Sequence, residues 1–151
     1  MTDAEYAVTK TRLDTLAALW IPCLGLGSPW DITLHYYRDS GEYGEENRKS
    51  ATVVPQGYQS FAHTSVSWAY MSAEIYINLG CFVGLEEEEQ EKIFVHEACH
   101  ILVHEMRAAT RCNCEEYDMR HEERVCTMLA AAFLRSKTYW QDTEEARDDA
   151  N

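Results

Sequence analysis

Residues 93–103, with the sequence IFVHEACHILV, constrain the fold of this chain more than any other segment. Eight of these eleven residues are apolar, and the three polar ones are His96, Glu97 and His100. A helix that is apolar on all sides is a buried helix. A buried polar group without a partner costs about 1–3 kcal/mol, so each of the three must be bound by something. We therefore expect a buried helix that carries a polar cluster at its centre.

The three polar residues form the pattern HExxH, in which the two histidines are four positions apart. Residues four apart lie on the same face of a helix, so the imidazoles of His96 and His100 can bind one metal ion. Glu97 would then lie beside the metal, where a carboxylate can take a proton from water that the metal activates. The pattern predicts a zinc site with His96 and His100 as ligands and Glu97 as the general base. The alternative is a pair of hydrogen-bonded histidines in the core.

A catalytic zinc ion has three protein ligands and one open position, so the third ligand must come from another element. Helical periodicity over residues 118–137 gives that segment one apolar stripe, formed by Val125, Cys126, Leu129, Ala132 and Phe133. Extension of this stripe by one turn reaches Glu122, where a core-facing carboxylate needs a partner. Glu122 is therefore the predicted third ligand. Glu123 and His121 remain the alternatives.

Other residues near the two helices could add to such a site. Cleavage of a peptide bond needs a hydrogen-bond donor for the oxyanion, and His104, Tyr117 and His121 are the candidates. The sequence does not choose among them, and His104 has a simpler role as a cation near a helix C-terminus. Cys112 and Cys114 could contribute to a second metal site, but two cysteines supply only half of one.

Composition limits the remaining classes of protein. The chain is long enough for one domain, predicted over residues 1–151, with a helix and loop at 1–27 and a frayed acidic tail at 141–151. A hydrophobic content of 46% excludes a disordered chain. The net charge of -13 disfavours direct binding to nucleic acids or to anionic membranes, which need basic patches. No secretory signal or membrane span is visible, and the six scattered cysteines are interpreted as free thiols of a cytoplasmic protein.

The spacing of apolar residues predicts an α+β fold. Helical spacing indicates helices over residues 4–20, 86–106 and 118–137. Strict alternation indicates strands over residues 31–38, 51–54 and 73–79, the first two joined by a hairpin connection. Residues 61–68 fit either a further strand or an irregular arm.

The motif and the glutamate together carry a resemblance to a known family. HEACH is followed 22 residues after His100 by Glu122, within RHEERVCTMLAAAF, and this resembles the gluzincin pattern of HExxH with a glutamate on the next helix. The order of helix, strands, motif helix and glutamate helix is similar to that of the minimal gluzincins, called minigluzincins. Through Trp30-Asp31-Ile32 the chain also resembles small metallopeptidase-like proteins of phages and prophages. The resemblance covers residues 28–136.

The resemblance implies a fold, a reaction and a set of residues. The fold would be a minimal zincin-like domain with a small twisted, mostly antiparallel sheet. Zinc would be bound by His96, His100 and Glu122, and Glu97 would be the base for hydrolysis of a peptide bond. The strand at 73–79 would lie near the cleft, and a neighbouring edge strand would pair with an extended peptide or protein substrate. A phage-encoded protein of this kind would act in the host cytoplasm.

Two other hypotheses belong to different classes. The chain could be an acidic, phage-type protein with the zincin fold and a zinc site but little or no proteolysis, which binds a basic host protein. Its net charge of -13 suits the occupation of a basic groove. Alternatively, the zinc could be purely structural, in which case its removal would unfold the chain.

Overall fold

The computed structural model describes residues 1–38, 61–110 and 115–148, and for residues 105–110, 115–119 and 138–148 it describes the backbone alone. The predicted loop at 39–50, the predicted strand at 51–54, Cys112, Cys114 and the end of the acidic tail lie outside the described residues. The side chain of Tyr117 lies outside them as well.

The described chain alternates helices with a small sheet. The helices are α1 (Asp3–Cys23), α2 (Leu79–Phe82), α3 (Glu87–Thr110) and α4 (Glu115–Asp148). The strands are β1 (Asp31–Tyr37), β2 (Ala62–Ser67) and β3 (Ser72–Asn78), and a short 3-10 turn over Trp68–Tyr70 joins β2 to β3. The predicted α+β class is confirmed, and the HExxH segment lies on α3. In these described ranges, no helix combines the length and the apolar character needed to cross a bilayer.

Helix α1 begins with a capping box and ends later than expected. The Thr2 side chain accepts a hydrogen bond from the Glu5 backbone amide at 3.2 Å, and the Glu5 carboxylate accepts one from the Thr2 amide at 2.7 Å. The sequence predicts an end at Trp20, before Pro22, but the helix continues to Cys23. A proline in the last turn removes one backbone hydrogen bond there, and the Leu24 amide still donates to the Trp20 carbonyl at 2.9 Å.

The sheet has the order β1-β3-β2, with β3 in the centre. Strand β1 runs parallel to β3, with Leu34 opposite Ile75, and β2 runs antiparallel to β3, with Thr64 opposite the same residue. The three described strands therefore form a mixed sheet, where a mostly antiparallel one was expected. Alternation of side chains identifies a strand and its buried face, whereas strand direction depends on the route of the connections. The open choice for residues 61–68 is settled as a strand.

One hydrophobic core joins the sheet to all four described helices. Its fully buried members come from α1, β3, α2, α3 and α4 and include Leu13, Ile75, Ile77, Phe82, Phe94, Ile101 and Cys126. Burial of these side chains holds α3 across one face of the sheet. Along β3, buried apolar residues that point to this face alternate with more exposed residues that point to the other. Four of the five residues of the apolar stripe predicted on the second helix belong to this core: Cys126 is buried, and Val125, Leu129 and Phe133 pack against it. The fifth, Ala132, is exposed, and Ala130 is buried in its place.

The long helices exceed their predicted ends. Helix α3 continues past residue 106 to Thr110, and α4 covers Glu115–Asp148 instead of 118–137, including most of the tail expected to fray. The added residues contain no glycine or proline, so nothing in the sequence breaks the helices there. At the other end of α3, Gly84 adopts a φ of 89°, and the Gln90 side chain donates to the Phe82 and Leu85 carbonyls at 3.2 and 3.1 Å. This turn aims the motif helix into the core.

The partly buried carboxylate of Glu91 connects α1, α3 and α4. The Trp20 indole N–H donates to Oε1 of Glu91 at 2.7 Å, and the Lys137 ammonium donates to the same oxygen at 2.6 Å. Glu91 precedes the HExxH motif on α3, and Lys137 lies beyond the glutamate pair on α4. This three-way contact helps to set the position of α4 along α3. That position determines which residues of α4 face the motif.

Candidate metal centre

The two histidines of the motif converge on one point. His96 and His100 are one turn apart on α3, and their Nε2 atoms are 3.3 Å apart. Their rings meet edge to face, with centroids 5.0 Å apart and planes at 79°. A zinc ion holds nitrogen at about 2.0–2.1 Å, so two nitrogens of a tetrahedral site are about 3.3–3.4 Å apart. The histidine pair already has the spacing that one zinc ion requires.

Glu123 faces the same point from α4. Its Oε2 is 3.2 Å from Nε2 of His96, and its Oε1 is 3.4 Å from Nε2 of His100. The Glu123 carboxylate thus approaches each histidine through a different oxygen, and the two Nε2 atoms and this carboxylate group together are called the donor triangle. Hydrogen bonding by His96 is the largest cause that keeps the pKa of Glu123 below its usual value, so this carboxylate is ionised near neutral pH.

Glu122 contacts the opposite edge of the His100 ring. Its Oε1 is 2.8 Å from Nδ1 of His100, and its side chain is only 10% exposed. Because the carboxylate accepts from Nδ1–H, this contact places the ring proton on Nδ1 and leaves the lone pair of Nε2 for a metal. The predicted third ligand is thus a partner of the second histidine, on the side away from the donor triangle.

Thr127 gives His96 a matching contact. Its hydroxyl donates to the Glu123 carbonyl at 2.8 Å, and its oxygen is 3.4 Å from Nδ1 of His96. The single hydroxyl proton of Thr127 is used on Glu123, so when Nε2 of His96 binds a metal, the Thr127 oxygen would accept a hydrogen bond from Nδ1–H. Both histidines therefore have a partner on α4 for Nδ1, and both direct Nε2 at the same point.

Glu97 is the buried carboxylate of the cluster. It is 8% exposed, and one of its carboxylate oxygens lies within 4.8 Å of a ring nitrogen of each histidine. The Thr64 hydroxyl on β2 lies 2.8 Å from Oε2 of Glu97 and 3.0 Å from the Glu97 carbonyl oxygen. Burial raises the pKa of Glu97, and the neighbouring His100 and the Thr64 hydrogen bond act in the opposite direction. A carboxylate with a raised pKa is suited to accept a proton near neutral pH.

The charges of the site favour a cation. Burial disfavours a proton on His100, but its hydrogen bonds to Cys126 and Glu122 and the charge of Glu97 outweigh burial and raise its pKa. Without a metal, the proton on His100 offsets part of the negative charge of Glu97, Glu122 and Glu123. Two imidazoles and a carboxylate are a ligand set that zinc commonly takes in proteins.

The remaining predicted residues occupy less central positions. His104 is half-buried one turn beyond His100, and His121 is exposed near the start of the glutamate region of α4. No contact of either with the donor triangle is observed among the described side chains, so the structure does not single out an oxyanion donor. Sequence reasoning missed Thr64 and Thr127. The sequence offered one indication for Thr64: alternation places it on the same face of its strand as the apolar residues Ala62 and Val66, which is the face expected to meet the core.

Comparison with protein-family models, with curated proteins and with solved structures finds no match for this chain. The function proposed below therefore rests on the geometry of the site alone.

Proposed function

We propose that this chain is a zinc-dependent hydrolase of peptide bonds, in which His96, His100 and Glu123 hold the metal and Glu97 is the general base. The observation that supports the proposal most directly is the donor triangle: the two Nε2 atoms are 3.3 Å apart, and the Glu123 carboxylate places Oε2 3.2 Å from that of His96 and Oε1 3.4 Å from that of His100. Glu123 replaces Glu122, the choice made from the sequence. The zincin-like fold and the gluzincin resemblance belong to the same proposal.

Each of the other site residues has a role in the proposed reaction. Zinc bound in such a site acidifies water and polarises a carbonyl group. Glu97 takes the proton of the attacking water and passes it to the amine that leaves. Glu122 and Thr127 hold the histidines so that Nε2 stays directed at the metal. The fold keeps Glu97 from bulk water, which strengthens its interaction with charges that develop beside it.

Strand β2 is the expected place for an extended substrate. Among the described strands it lies at one edge of the sheet, and it crosses α3 next to Glu97 through Thr64. The backbone amides and carbonyls on the outer side of an edge strand can pair with an extended peptide. The sequence-based expectation named the strand at 73–79 and a neighbouring edge strand. Both β1 and β2 neighbour β3 among the described strands, and we propose β2 because its Thr64 contacts Glu97.

The test combines metal analysis with a peptide library. We expect one zinc ion per purified chain, and cleavage of a mixed peptide library detected by mass spectrometry. Glu97→Gln should keep the zinc and the fold and lose hydrolysis by on the order of 10²-fold or more. Glu88→Gln, on the exposed first turn of the same helix, is the matched control and should cleave as the wild type does.

Three results would count against the proposal. Absence of zinc from a chelator-free preparation would remove the metal site. Undiminished cleavage by Glu97→Gln would remove Glu97 as the base. A wild-type protein that binds zinc but cleaves no peptide would favour the alternative of an acidic binding protein. Capture of a basic protein by Glu97→Gln in a pull-down would then support that alternative.

A further inference from the structure

Thr64 connects the edge strand to the buried carboxylate of the motif. Its hydroxyl lies 2.8 Å from Oε2 of Glu97 and 3.0 Å from the carbonyl oxygen of the same residue. The residue is central in β2, opposite Ile75 of β3. Ser65 and Ser67 point to the other face of the strand, so neither can take the place of Thr64 in this contact.

We propose that Thr64 is a positioning residue for the general base, an inference that rests on the proposed function. A glutamate side chain has three rotatable bonds, and a base that rotates freely spends little time in a productive orientation. The Thr64 hydroxyl holds one carboxylate oxygen of Glu97 and leaves the other to meet the water. A hydrogen bond to a charged oxygen is stronger than one to a neutral carbonyl, so the hydroxyl proton goes to Oε2 when Glu97 is ionised.

The two contacts of the Thr64 hydroxyl distinguish a positioning role from a structural one. An anchor between β2 and α3 alone would need only the bond to the Glu97 carbonyl, and the contact with Oε2 is the part that this role does not explain.

Three variants separate positioning from a structural role. Thr64→Val keeps the shape of the side chain and removes the hydroxyl, Thr64→Ser keeps the hydroxyl, and Thr33→Val makes the same change at an exposed position of β1. We expect Thr64→Val to lower kcat by on the order of tenfold or more, the effect of one lost hydrogen bond to a charged group. KM and zinc affinity should stay within about twofold of the wild-type values. Thr64→Ser should recover most of kcat, and Thr33→Val should match the wild type.

A binding measurement keeps the inference testable apart from turnover. Acetohydroxamic acid binds metals as its anion, so a well-placed base that takes its proton favours binding. We expect zinc-loaded Thr64→Val to bind acetohydroxamate several-fold more weakly than zinc-loaded wild type, with Glu97→Gln weaker still. Unchanged kcat together with unchanged hydroxamate affinity would overturn the role of Thr64. Loss of zinc or of the fold in Thr64→Val, with no recovery in Thr64→Ser, would also overturn it. The proposed function, by contrast, is decided by zinc content and cleavage in the wild type alone.

Discussion

Oε1 of Glu122 lies 2.8 Å from Nδ1 of His100, on the edge of the imidazole opposite to the one that faces His96 and Glu123. The two nitrogens of an imidazole point in different directions, so one metal ion cannot use Nε2 of His100 and also reach a carboxylate bonded to Nδ1. In the proposed site, the adjacent glutamates on α4 therefore have two different tasks. Glu123 faces the proposed metal position, and Glu122 orients His100.

Exchange of each glutamate for glutamine tests this division. Glu123→Gln should lower zinc affinity far more than Glu122→Gln, because it replaces a charged ligand with a weak neutral one. Glu122→Gln should cost about 10–100-fold, the usual effect of losing a group that orients a ligand. Competition with a chromophoric chelator measures both affinities, and X-ray absorption reports the ligand set. The opposite order, with Glu122→Gln the more damaging, would return the third ligand to Glu122.

Removal of the histidines or of the metal distinguishes a catalytic site from a structural one. His96→Ala and His100→Ala should each abolish stoichiometric zinc binding while the chain stays folded, because the core around Ile75, Phe94 and Ile101 does not depend on the site. For the wild type at zinc concentrations near 100 times Kd, chelation should lower Tm by about 5–10 °C. Circular dichroism at 25 °C should remain that of the folded protein. Unfolding on chelation would instead assign the zinc a structural role.

The Glu91 contact is expected to govern the packing of α4 on α3. Glu91→Ala leaves the Trp20 indole and the Lys137 ammonium without their shared acceptor, and should lower the free energy of unfolding by about 2 kcal/mol. Chemical denaturation measures this change, with Glu88→Ala on the exposed side of α3 as the control, expected within about 0.5 kcal/mol of wild type. Zinc affinity should fall as well in Glu91→Ala, because α4 carries Glu123. An unchanged affinity would separate the contact from the site.

His63 should make the protein less stable in mild acid. Burial lowers the pKa of its imidazole to about 4, and its ring stacks on Tyr76 with centroids 4.6 Å apart. An unfolded histidine titrates near pH 6.5, so between about pH 6.5 and 4 the unfolded state binds more protons. The contribution of His63 to stability is thus present at pH 7 and is lost as the pH falls through this window.

Replacement of His63 isolates that contribution from the carboxylates that also titrate. Between pH 7 and pH 5, His63→Gln should lose about 1 kcal/mol less unfolding free energy than the wild type, a value reduced because the ring is only partly buried. Urea denaturation at the two pH values gives the difference. Ser65→Ala on the same strand is the control and should follow the wild type. Parallel losses in His63→Gln and wild type would contradict the assignment.

Local sequence was sufficient to predict the central part of the site. The four-residue spacing of His96 and His100 on a helix puts both rings on one face whatever surrounds them, and Glu97 follows from the same pattern. The apolar stripe of the next helix likewise predicted that its first turns meet α3. These features depend on helical periodicity, which is a property of the chain segment itself.

Tertiary structure determined the contacts that individual side chains make in the site. Glu122 and Glu123 are adjacent on α4, so both lie near the interface, and their tasks depend on how far α4 is shifted along α3, which the Glu91 contact with Trp20 and Lys137 sets. The contact of Thr64 with Glu97 depends on β2 pairing with β3 and lying beside α3, and strand order and direction are not encoded in alternation. Periodicity thus determined the faces that carry the site. Long-range packing determined the distances, because these are set by contacts between segments far apart in the sequence.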